Sequence, residues 1–331
     1  RTSCDKYAMN EKFSRACNRL PQDCPPIWMM RQAGRYHSHY QALKEKYSFD
    51  HMCKTPELAA EVALGPIQEF DFDVSILFSD ILYPFEGLGL PLEFAPGPQF
   101  ANLVTEENHE QYMDIFKALE FMQFQADAIK ATRSVLPKDK SLIGFVGGPW
   151  TLMQYGVDPK ASMQFKDLYL KTVIVPLIVE QIIMQLEAGA EKVLVIDSGL
   201  ERLGRQYLKE TYTGLLNELT SPDVAYYCKG INTELTPLVL NKYWGGVGID
   251  SAIDIKTVMP NFKQGFIQGN FNERFMLYPT DRFQRQLDMF CEQMQDMDRT
   301  GWVCGLGHGI NKETPEKHVH MFIDKIRSTF S

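Results

Sequence analysis

The stretch KVLVIDSG, residues 192–199, contains the pattern that decides the fold. Its run KVLVI is apolar and β-branched, as in a strand buried on both faces, and the small polar residues Asp197, Ser198 and Gly199 end it. The preceding stretch from Thr172 to Ala188 is apolar and favours a helix, with Pro176 in its first turns or at a kink. The segment therefore reads as a helix followed by a buried strand.

The same alternation recurs along the chain. Eight short apolar runs are each followed by a turn and a longer helical stretch: IWMM (27–30), VSILF (74–78), SLIGFV (141–146), KVLVI (192–196), VAYYC (224–228), GGVGI (245–249), GFIQG (265–269) and WVCGL (302–306). Between the first two, PELAAEVALGPIQEF opens with Pro56 and Glu57, which suit a first helical turn.

Eight buried strands alternating with helices predict a (β/α)8 barrel. The alternative is an open doubly wound sheet, but the first strand lacks a G-x-G-x-x-G turn and eight units are many for an open sheet. We expect one domain over residues 1–331, with an N-terminal extension of about residues 1–26 that covers the bottom or side of the barrel.

Composition restricts the class of protein. With 44% hydrophobic and 23% charged residues the chain is typical of globular proteins, and its net charge of -8 disfavours a nucleic-acid binder. No apolar run approaches the roughly 20 residues of a membrane span, and the first ten residues lack the apolar core of a signal peptide. The seven Cys include no C-x-x-C pair, which favours reduced thiols. We therefore expect a cytoplasmic protein with no membrane or nucleic-acid partner.

Polar residues follow every predicted strand, where (β/α)8 enzymes carry their catalytic groups. They are Arg31, Arg35, Ser79, Asp80, Tyr155, Asp197, Ser198, Lys229, Asp250, Asn270 and His308. Structural alternatives exist: the two Arg can pair with nearby carboxylates, an Asp after a strand can cap the next helix, and Tyr155 can be a core aromatic. His308 lies between two glycines, which favours a functional role because the backbone there can approach a ligand.

Two H-x-H motifs, His37-Ser38-His39 and His318-Val319-His320, raise the question of a metal. In a helix such residues point about 200° apart, and neither motif has an obvious third ligand. We expect no metal site.

Four blocks resemble uroporphyrinogen decarboxylases, in that family's order and from about Pro21 to the C-terminal helix. They are PPIWMMRQAGRY, PELAAEVALGPIQEFDFDVSILFSDIL, GGPWTLMQY and GLGHGINKETPEKHV. The resemblance implies a homodimeric (β/α)8 lyase of haem and porphyrin biosynthesis that uses no cofactor. Such an enzyme converts the four acetate arms of uroporphyrinogen III to methyls, giving coproporphyrinogen III.

The resemblance also implies roles for particular residues. It implies that the substrate-binding residues are Arg31, Gln32, Ala33, Gly34, Arg35, Asp80, Tyr155, Ser198 and His308. It implies catalytic roles for four of them: Asp80 beneath the macrocycle, Tyr155 orienting Asp80 by a hydrogen bond, Arg31 as candidate proton source, and His308 as a group that titrates in the useful range. Because the substrate carries eight carboxylates, an acidic chain needs a few guanidiniums whose forks match carboxylate geometry.

Departures from the family pattern fall on the predicted mouth loops: His37-Ser38-His39 after RQAGRY, GVDPKAS after Tyr155, Ser251 after Asp250, and Gly199-Leu200-Glu201 after the fourth strand; LEFAPGPQF is a little short. They leave two alternatives open. One is a corrinoid-dependent methyltransferase of the same fold, which uses a His-x-Cys zinc pair; here Cys228 is present but Tyr226 replaces the His. The other is a tetrapyrrole binder without catalysis.

Overall fold

The computed structural model describes residues 9–94, 97–231 and 236–331. Its strands are β1 (Val74–Ile76), β2 (Leu92–Glu93), β3 (Gln99–Phe100), β4 (Ser141–Gly147), β5 (Lys192–Ser198), β6 (Val224–Lys229), β7 (Gly246–Gly248), β8 (Phe266–Gln268) and β9 (Trp302–Val303). The seven strands β1, β4, β5, β6, β7, β8 and β9 pair in that order, all parallel. Strands β2 and β3 form a separate antiparallel pair.

Helices precede the first strand of the large sheet and follow its later strands. They are α1 (Glu11–Cys17), α2 (Ser38–Lys44), α3 (Phe49–Lys54), α4 (Pro56–Phe70), α5 (Tyr83–Leu88), α6 (Ile115–Phe121), α7 (Gln123–Val135), α8 (Pro149–Gly156), α9 (Met163–Tyr169), α10 (Val175–Ala188), α11 (Arg205–Tyr207), α12 (Thr213–Asn217), α13 (Thr236–Leu240), α14 (Ile255–Val258), α15 (Thr280–Gln295) and α16 (Glu316–Thr329). Within the described ranges, none of them is both long and apolar enough to cross a membrane.

The first predicted strand is reduced to one bridging residue. Ile27 pairs in parallel with Cys304, its amide donates to the Asp73 carboxylate (2.8 Å), and its carbonyl accepts from the Asp73 amide (3.0 Å). It thus fills the gap between β9 and β1 and closes the barrel, which confirms the (β/α)8 architecture and excludes the open sheet. The prediction of a longer strand was wrong because the Met29 amide donates to the Gln32 side chain instead of to a neighbouring strand.

Alternate strand residues fill the barrel. The interior cluster consists of Trp28, Met30, Val74, Ile76, Ile143, Leu194, Ala225, Tyr227, Phe266 and Val303, with Phe13 and Ala16. The residues between them on β5 and β6, such as Val195 and Tyr226, pack outward against the helices. Even-numbered residues of β5 and odd-numbered residues of β6 therefore face the barrel axis.

Helix α1 closes the end of the barrel at which the strands begin. The Phe13 ring lies 5.5 Å from that of Phe266, and the Asn10 amide donates to the Ser141 hydroxyl at the start of β4 (2.9 Å). Of the predicted extension, residues 1–8 lie outside the described residues. The predicted division into a single domain stays a prediction.

The helix predicted from Thr172 to Ala188 begins earlier, at Met163. A π-helical segment, Leu170–Ile174, joins α9 to α10 immediately before Pro176. Proline has no amide hydrogen and its ring crowds the carbonyl four residues back, so the wider π turn lets the helix continue past it. The sequence placed Pro176 in the first turns of a helix or at a kink, and in the structure it lies in the first turn of α10, directly after the π-helical segment.

Candidate active site at the barrel mouth

The predicted site residues lie where the strands end. Because all strands of the large sheet are parallel, their carboxyl ends share one rim, the mouth. The mouth carries Arg31 after the Ile27 bridge, Asp80 after β1, Tyr155 on α8, Ser198 at the end of β5 and His308 after β9. Two surface cavities, of about 460 and about 410 Å³, lie elsewhere, against outer helices.

Arg31 is held by contact between the first and last loops of the barrel. The Ile310 amide donates to the Met30 carbonyl (2.9 Å), and Arg31 has a left-handed backbone with φ of 65°. A Cβ at Gly309 would lie 2.7 Å from Arg31 Cδ, so a side chain at this position would displace the arginine stem from its present path across the loop. The side chain is exposed, and no described carboxylate lies within ion-pairing distance of its guanidinium.

Gln32 has a different position from the cleft-lining one that was predicted. Its side chain is fully buried, with Oε1 accepting from the Met29 amide (3.0 Å) and Nε2 donating to the Val74 carbonyl (2.8 Å). Its own carbonyl accepts from the Tyr36 hydroxyl (2.7 Å). An amide has both a donor and an acceptor, so Gln32 ties the Arg31 loop to β1 and is not available to a ligand.

The rest of this motif remains near the surface. Ala33 packs partly against the core, Gly34 is half-buried, and Arg35 is exposed. The Arg35 carbonyl accepts from the Gln41 side chain (2.7 Å), which fixes its backbone while its guanidinium stays at the surface.

Asp80 is a partly buried acid, and one of its two carboxylate oxygens is hydrogen-bonded within the chain. Its Oδ1 accepts from the Leu82 amide (2.8 Å), and among the described residues its Oδ2 has no hydrogen-bond partner. Burial raises the pKa of its carboxyl, against the opposing effects of the Leu82 amide and the Arg31 charge. An acid in this state gains from any ligand that brings hydrogen-bond donors or positive charge to Oδ2.

Tyr155 does not make the bond to Asp80 that the resemblance implied. It lies near the end of α8 with 47% of its surface exposed, and within the described structure its hydroxyl has no hydrogen-bond partner. The motif places the ring near the mouth, whereas the orientation of Asp80 comes from the backbone of Leu82.

Asp197 is a second buried acid, and all its bonds are internal. Its oxygens accept from the Thr151 amide (2.9 Å) and hydroxyl (2.8 Å), from the Tyr226 hydroxyl (3.0 Å) and from the Tyr212 hydroxyl. Burial raises its pKa against these four bonds. It faces away from the barrel axis and locks α8 onto β5, and a Cβ at Gly148 would lie 2.4 Å from its Cγ.

Ser198, one residue later, faces the mouth. Its hydroxyl lies 3.1 Å from that of Thr151, whose proton goes to Asp197. Ser198 therefore donates to Thr151, which leaves the lone pairs of its hydroxyl as hydrogen-bond acceptors. The Ser198 carbonyl accepts from Gln154 (2.9 Å), which holds the turn after β5.

His308 is held by Tyr227, a residue that the sequence reasoning did not single out. Its Nδ1 lies 2.9 Å from the Tyr227 hydroxyl, which also donates to the Gly307 carbonyl (2.9 Å). Because the one hydroxyl proton goes to Gly307, Nδ1 carries the ring proton and Nε2 is left as an acceptor. Strand alternation, which turns Tyr227 toward the axis, was the feature that could have found it.

The His308 ring does not titrate near neutral pH as predicted. Burial, together with the smaller effects of the Lys229 and Arg31 charges and against the opposing effect of Asp250, lowers its pKa to about 4. The sequence did not indicate this shift, because the burial of the ring and the nearness of the Lys229 and Arg31 charges arise only in the folded barrel. His308 is a neutral hydrogen-bonding group at pH 7.

The H-x-H motifs separate in space. His37 and His39 lie with their rings 5.7 Å apart near His320, whose Nε2 lies 3.0 Å from Glu69 Oε1, whereas His318 is buried with both ring nitrogens bonded within the chain. Across residues 9–94, 97–231 and 236–331, no three His, Cys, Asp or Glu side chains are arranged to hold a metal ion.

Comparison with known proteins assigns the chain to a family. The family model described as "Uroporphyrinogen decarboxylase (URO-D)" matches residues 8–329. The chain belongs to the uroporphyrinogen decarboxylase family. The protein named uroporphyrinogen decarboxylase from Geobacter sulfurreducens is 33% identical over 95% of this chain and 97% of its own length. The one from Chloroflexus aurantiacus (strain ATCC 29366 / DSM 635 / J-10-fl) is 32% identical over 97% of this chain and 96% of its own.

Decarboxylases are carboxy-lyases, so family membership over nearly the whole chain makes this an enzyme of that class. Among solved structures, a methyltransferase from Methanosarcina mazei superposes with a TM-score of 0.80 at 16% identity, covering 98% of this chain and 100% of that one. At this identity the likeness shows the shared barrel alone.

A zinc-dependent methyltransferase would need a thiol at the end of β6, but the Cys228 thiol points away from the barrel axis. Cys228 is buried on the outward side of β6, in the same cluster as Tyr226, and burial raises its pKa well above the usual value. A zinc ligand must be a thiolate that reaches the metal. The buried, outward position of Cys228 does not fit that role.

Proposed function

We propose that the protein decarboxylates uroporphyrinogen III to coproporphyrinogen III without a cofactor, removing CO₂ from each of the four acetate arms. The observation that carries the proposal is Asp80, a partly buried acid at the mouth with one oxygen unsatisfied by the described residues. Inward-facing pyrrole N–H groups are donors of the kind that Oδ2 lacks.

The chemistry requires a stabilised positive charge. Protonation of a pyrrole ring gives a cationic pyrrolinium, which accepts the electron pair when the bond between the acetate methylene and its carboxylate breaks and CO₂ leaves. The methylene carbon then takes a proton to become a methyl, and the ring loses its extra proton. Each acetate therefore consumes one proton and releases one CO₂.

Asp80 would act on the charged stage of this sequence. A carboxylate about 4 Å from a unit positive charge contributes on the order of 4 kcal/mol at an effective dielectric near 20. If this is felt only in the transition state, it amounts to roughly three decades in rate. Burial strengthens the effect, because an acid with a raised pKa gains more from a new cation than a solvated one does.

The other mouth residues have binding roles in this proposal. Arg31 and Arg35 bind side-arm carboxylates, Ser198 accepts from a substrate donor, and the neutral Nε2 of His308 accepts a second hydrogen bond. Ala33 and Gly34 shape the cleft beside Arg31, and Tyr155 contacts the substrate with its exposed ring. Arg31 is also the candidate proton source, directly or through a bound water, although a guanidinium is a weak acid with a pKa above about 12.

We also propose that the enzyme is a cytoplasmic homodimer. Light scattering is expected to give about twice the chain mass of 38.0 kDa. A mass of one chain at micromolar concentration would contradict the dimer.

The function is tested with freshly reduced uroporphyrinogen III, kept anaerobic with a chelator and no added cofactor. The products are oxidised and separated by carboxylate number, and a ladder from eight to four carboxylates is expected. Binding without any ladder would favour a catalytically inactive tetrapyrrole binder. Turnover only after zinc and a corrinoid methyl donor are added would favour a methyltransferase.

A further inference from the structure

Lys229 ends β6 at the mouth, directly beside a proposed substrate residue. In the parallel pairing of β5 with β6 its Cα is the partner of Ser198. The sequence marked it as a residue after a strand but gave it no role. Its place in the register puts it on the same rim as Asp80 and His308.

Strand alternation determines where the side chain points. Ala225 and Tyr227 belong to the barrel interior, whereas Tyr226 and Cys228 pack outward against the helices. Lys229 has the parity of Tyr227, so it projects over the axis. Tyr227 is buried inside the barrel and Lys229 is exposed, as expected when a strand passes from the barrel interior to its opening.

The backbone beside Lys229 is fixed. The Gly230 amide donates to Asp250 Oδ2 (3.1 Å), and the second oxygen of Asp250 accepts from the Ala252 amide (2.8 Å). Both carboxylate oxygens of Asp250 thus accept hydrogen bonds from loop amides. Lys229 starts from an anchored Cα and is not the ion-pair partner of this acid.

The charge of Lys229 acts on the site itself. It lowers the pKa of His308, with a larger effect than Arg31 has. Yet within residues 9–94, 97–231 and 236–331 no carboxylate lies within ion-pairing distance of its ammonium group. A cation whose charge acts on the half-buried His308 ring and that has no counter-ion among the described residues is available to bind an anion.

We propose that Lys229 is a specificity residue whose ammonium group binds a side-arm carboxylate of the substrate, across the mouth from Arg31. The inference rests on the proposed function, since it needs a ligand with several carboxylates on a ring centred over Asp80. Arg31 and Lys229 then hold different arms of one ligand. The ammonium is a compact point charge on a flexible stem, so it can follow an arm whose position changes as neighbouring acetates become methyls.

The test compares Lys229→Gln with Lys229→Arg and with Lys138→Gln. Lys138 lies on the loop before β4, at the opposite end of the barrel, and is exposed, so its substitution makes the same change in net charge away from the mouth. KM and kcat for uroporphyrinogen III are measured, and dissociation constants for the fluorescent oxidised ligands uroporphyrin III and coproporphyrin III are measured at two salt concentrations.

We expect Lys229→Gln to raise KM about tenfold, with kcat changed less, and to weaken uroporphyrin binding by a similar factor, about 1.4 kcal/mol. The salt dependence of binding should fall, Lys229→Arg should restore most of the affinity, and Lys138→Gln should behave as wild type. Weaker binding of both porphyrins would mean that Lys229 holds a propionate, and weaker binding of uroporphyrin alone an acetate.

Unchanged affinity and salt dependence in Lys229→Gln would overturn the inference and leave the proposed function standing. Wild-type protein that binds uroporphyrin through Lys229 but never decarboxylates the reduced substrate would overturn the function alone. Wild-type protein that binds neither porphyrin and does not decarboxylate the reduced substrate would overturn both.

Discussion

Asp80, which is partly buried, and Asp197, which is fully buried, lie just beyond or at the end of parallel strands, and burial raises the pKa of each. Asp197 faces the helices and accepts four hydrogen bonds from Thr151, Tyr212 and Tyr226. Asp80 faces the mouth and accepts one, from Leu82. A buried acid with all its acceptors occupied organises the fold, whereas one with an oxygen left over is ready for a ligand.

The largest expected effect tests the catalytic half of this comparison. Asp80→Asn removes the charge that would stabilise the pyrrolinium, so kcat should fall about a thousandfold. The free energy of unfolding should change by less than about 1 kcal/mol, because only one hydrogen bond is involved. Steady-state rates and urea denaturation measure the two effects, with the exposed helical Asp127→Asn as control. Near-normal turnover would remove Asp80 from the mechanism.

For Asp197, the comparison predicts that a substitution lowers the stability of the fold. Asp197→Asn keeps the shape but turns amide hydrogens toward hydroxyl donors, leaving several buried donors without an acceptor. The free energy of unfolding should fall by about 3 kcal/mol, as seen in a lower urea midpoint. A loss below about 1 kcal/mol would show that Asp197 is not the centre of the network.

Thr151→Val sharpens the comparison by removing one donor from Asp197 while keeping the side-chain volume. The free energy of unfolding should fall by about 1 to 2 kcal/mol. Ser198 loses its acceptor as well, so KM for the reduced substrate should rise by a smaller factor. If stability were unchanged, the backbone amide at position 151 and the Tyr226 and Tyr212 hydroxyls would be sufficient to hold the carboxylate.

A pH titration tests the electrostatics of the mouth, through the pKa of His308. The His308 resonance in an NMR titration should have its midpoint at pH about 4, compared with about 6.5 for an unfolded histidine. The unfolded chain therefore binds the extra proton between these values, and the contribution of this group to stability falls as the pH drops from about 6.5 to about 4. Lys229→Gln should raise the midpoint, and a midpoint unaffected by that change would contradict the charge coupling.

The smallest effect is expected for Tyr155→Phe. Since the Tyr155 hydroxyl makes no hydrogen bond to Asp80 or another described residue, kcat/KM should change by less than about threefold, under 1 kcal/mol. A loss of a hundredfold would show that the hydroxyl meets the substrate directly, which would move Tyr155 to the ligand-binding side of the comparison.

Local sequence patterns were enough to predict the main strands and helices and the polar residues at the rim of the barrel. The runs around β4, β5 and β6 predicted those strands, and Pro56 marked the start of α4. Sequence patterns failed to predict the length of the first strand. The Gln32 side chain accepts a hydrogen bond from the Met29 amide, which would otherwise pair with a neighbouring strand, so the strand ends early. Sequence patterns also failed at Tyr155, where a motif gave proximity but not a bond.

The sequence by itself determined the barrel, the family and the set of polar residues at the strand ends, because periodicity and motif order are local properties that a linear chain carries. Tertiary structure decided which of those residues are available to a ligand. Asp80 and Asp197 differ in burial, in the direction they face and in the number of donors that other strands and helices bring to them. His308 is neutral because the fold partly buries its ring and brings the charges of Lys229 and Arg31, distant along the chain, close enough to lower its pKa further.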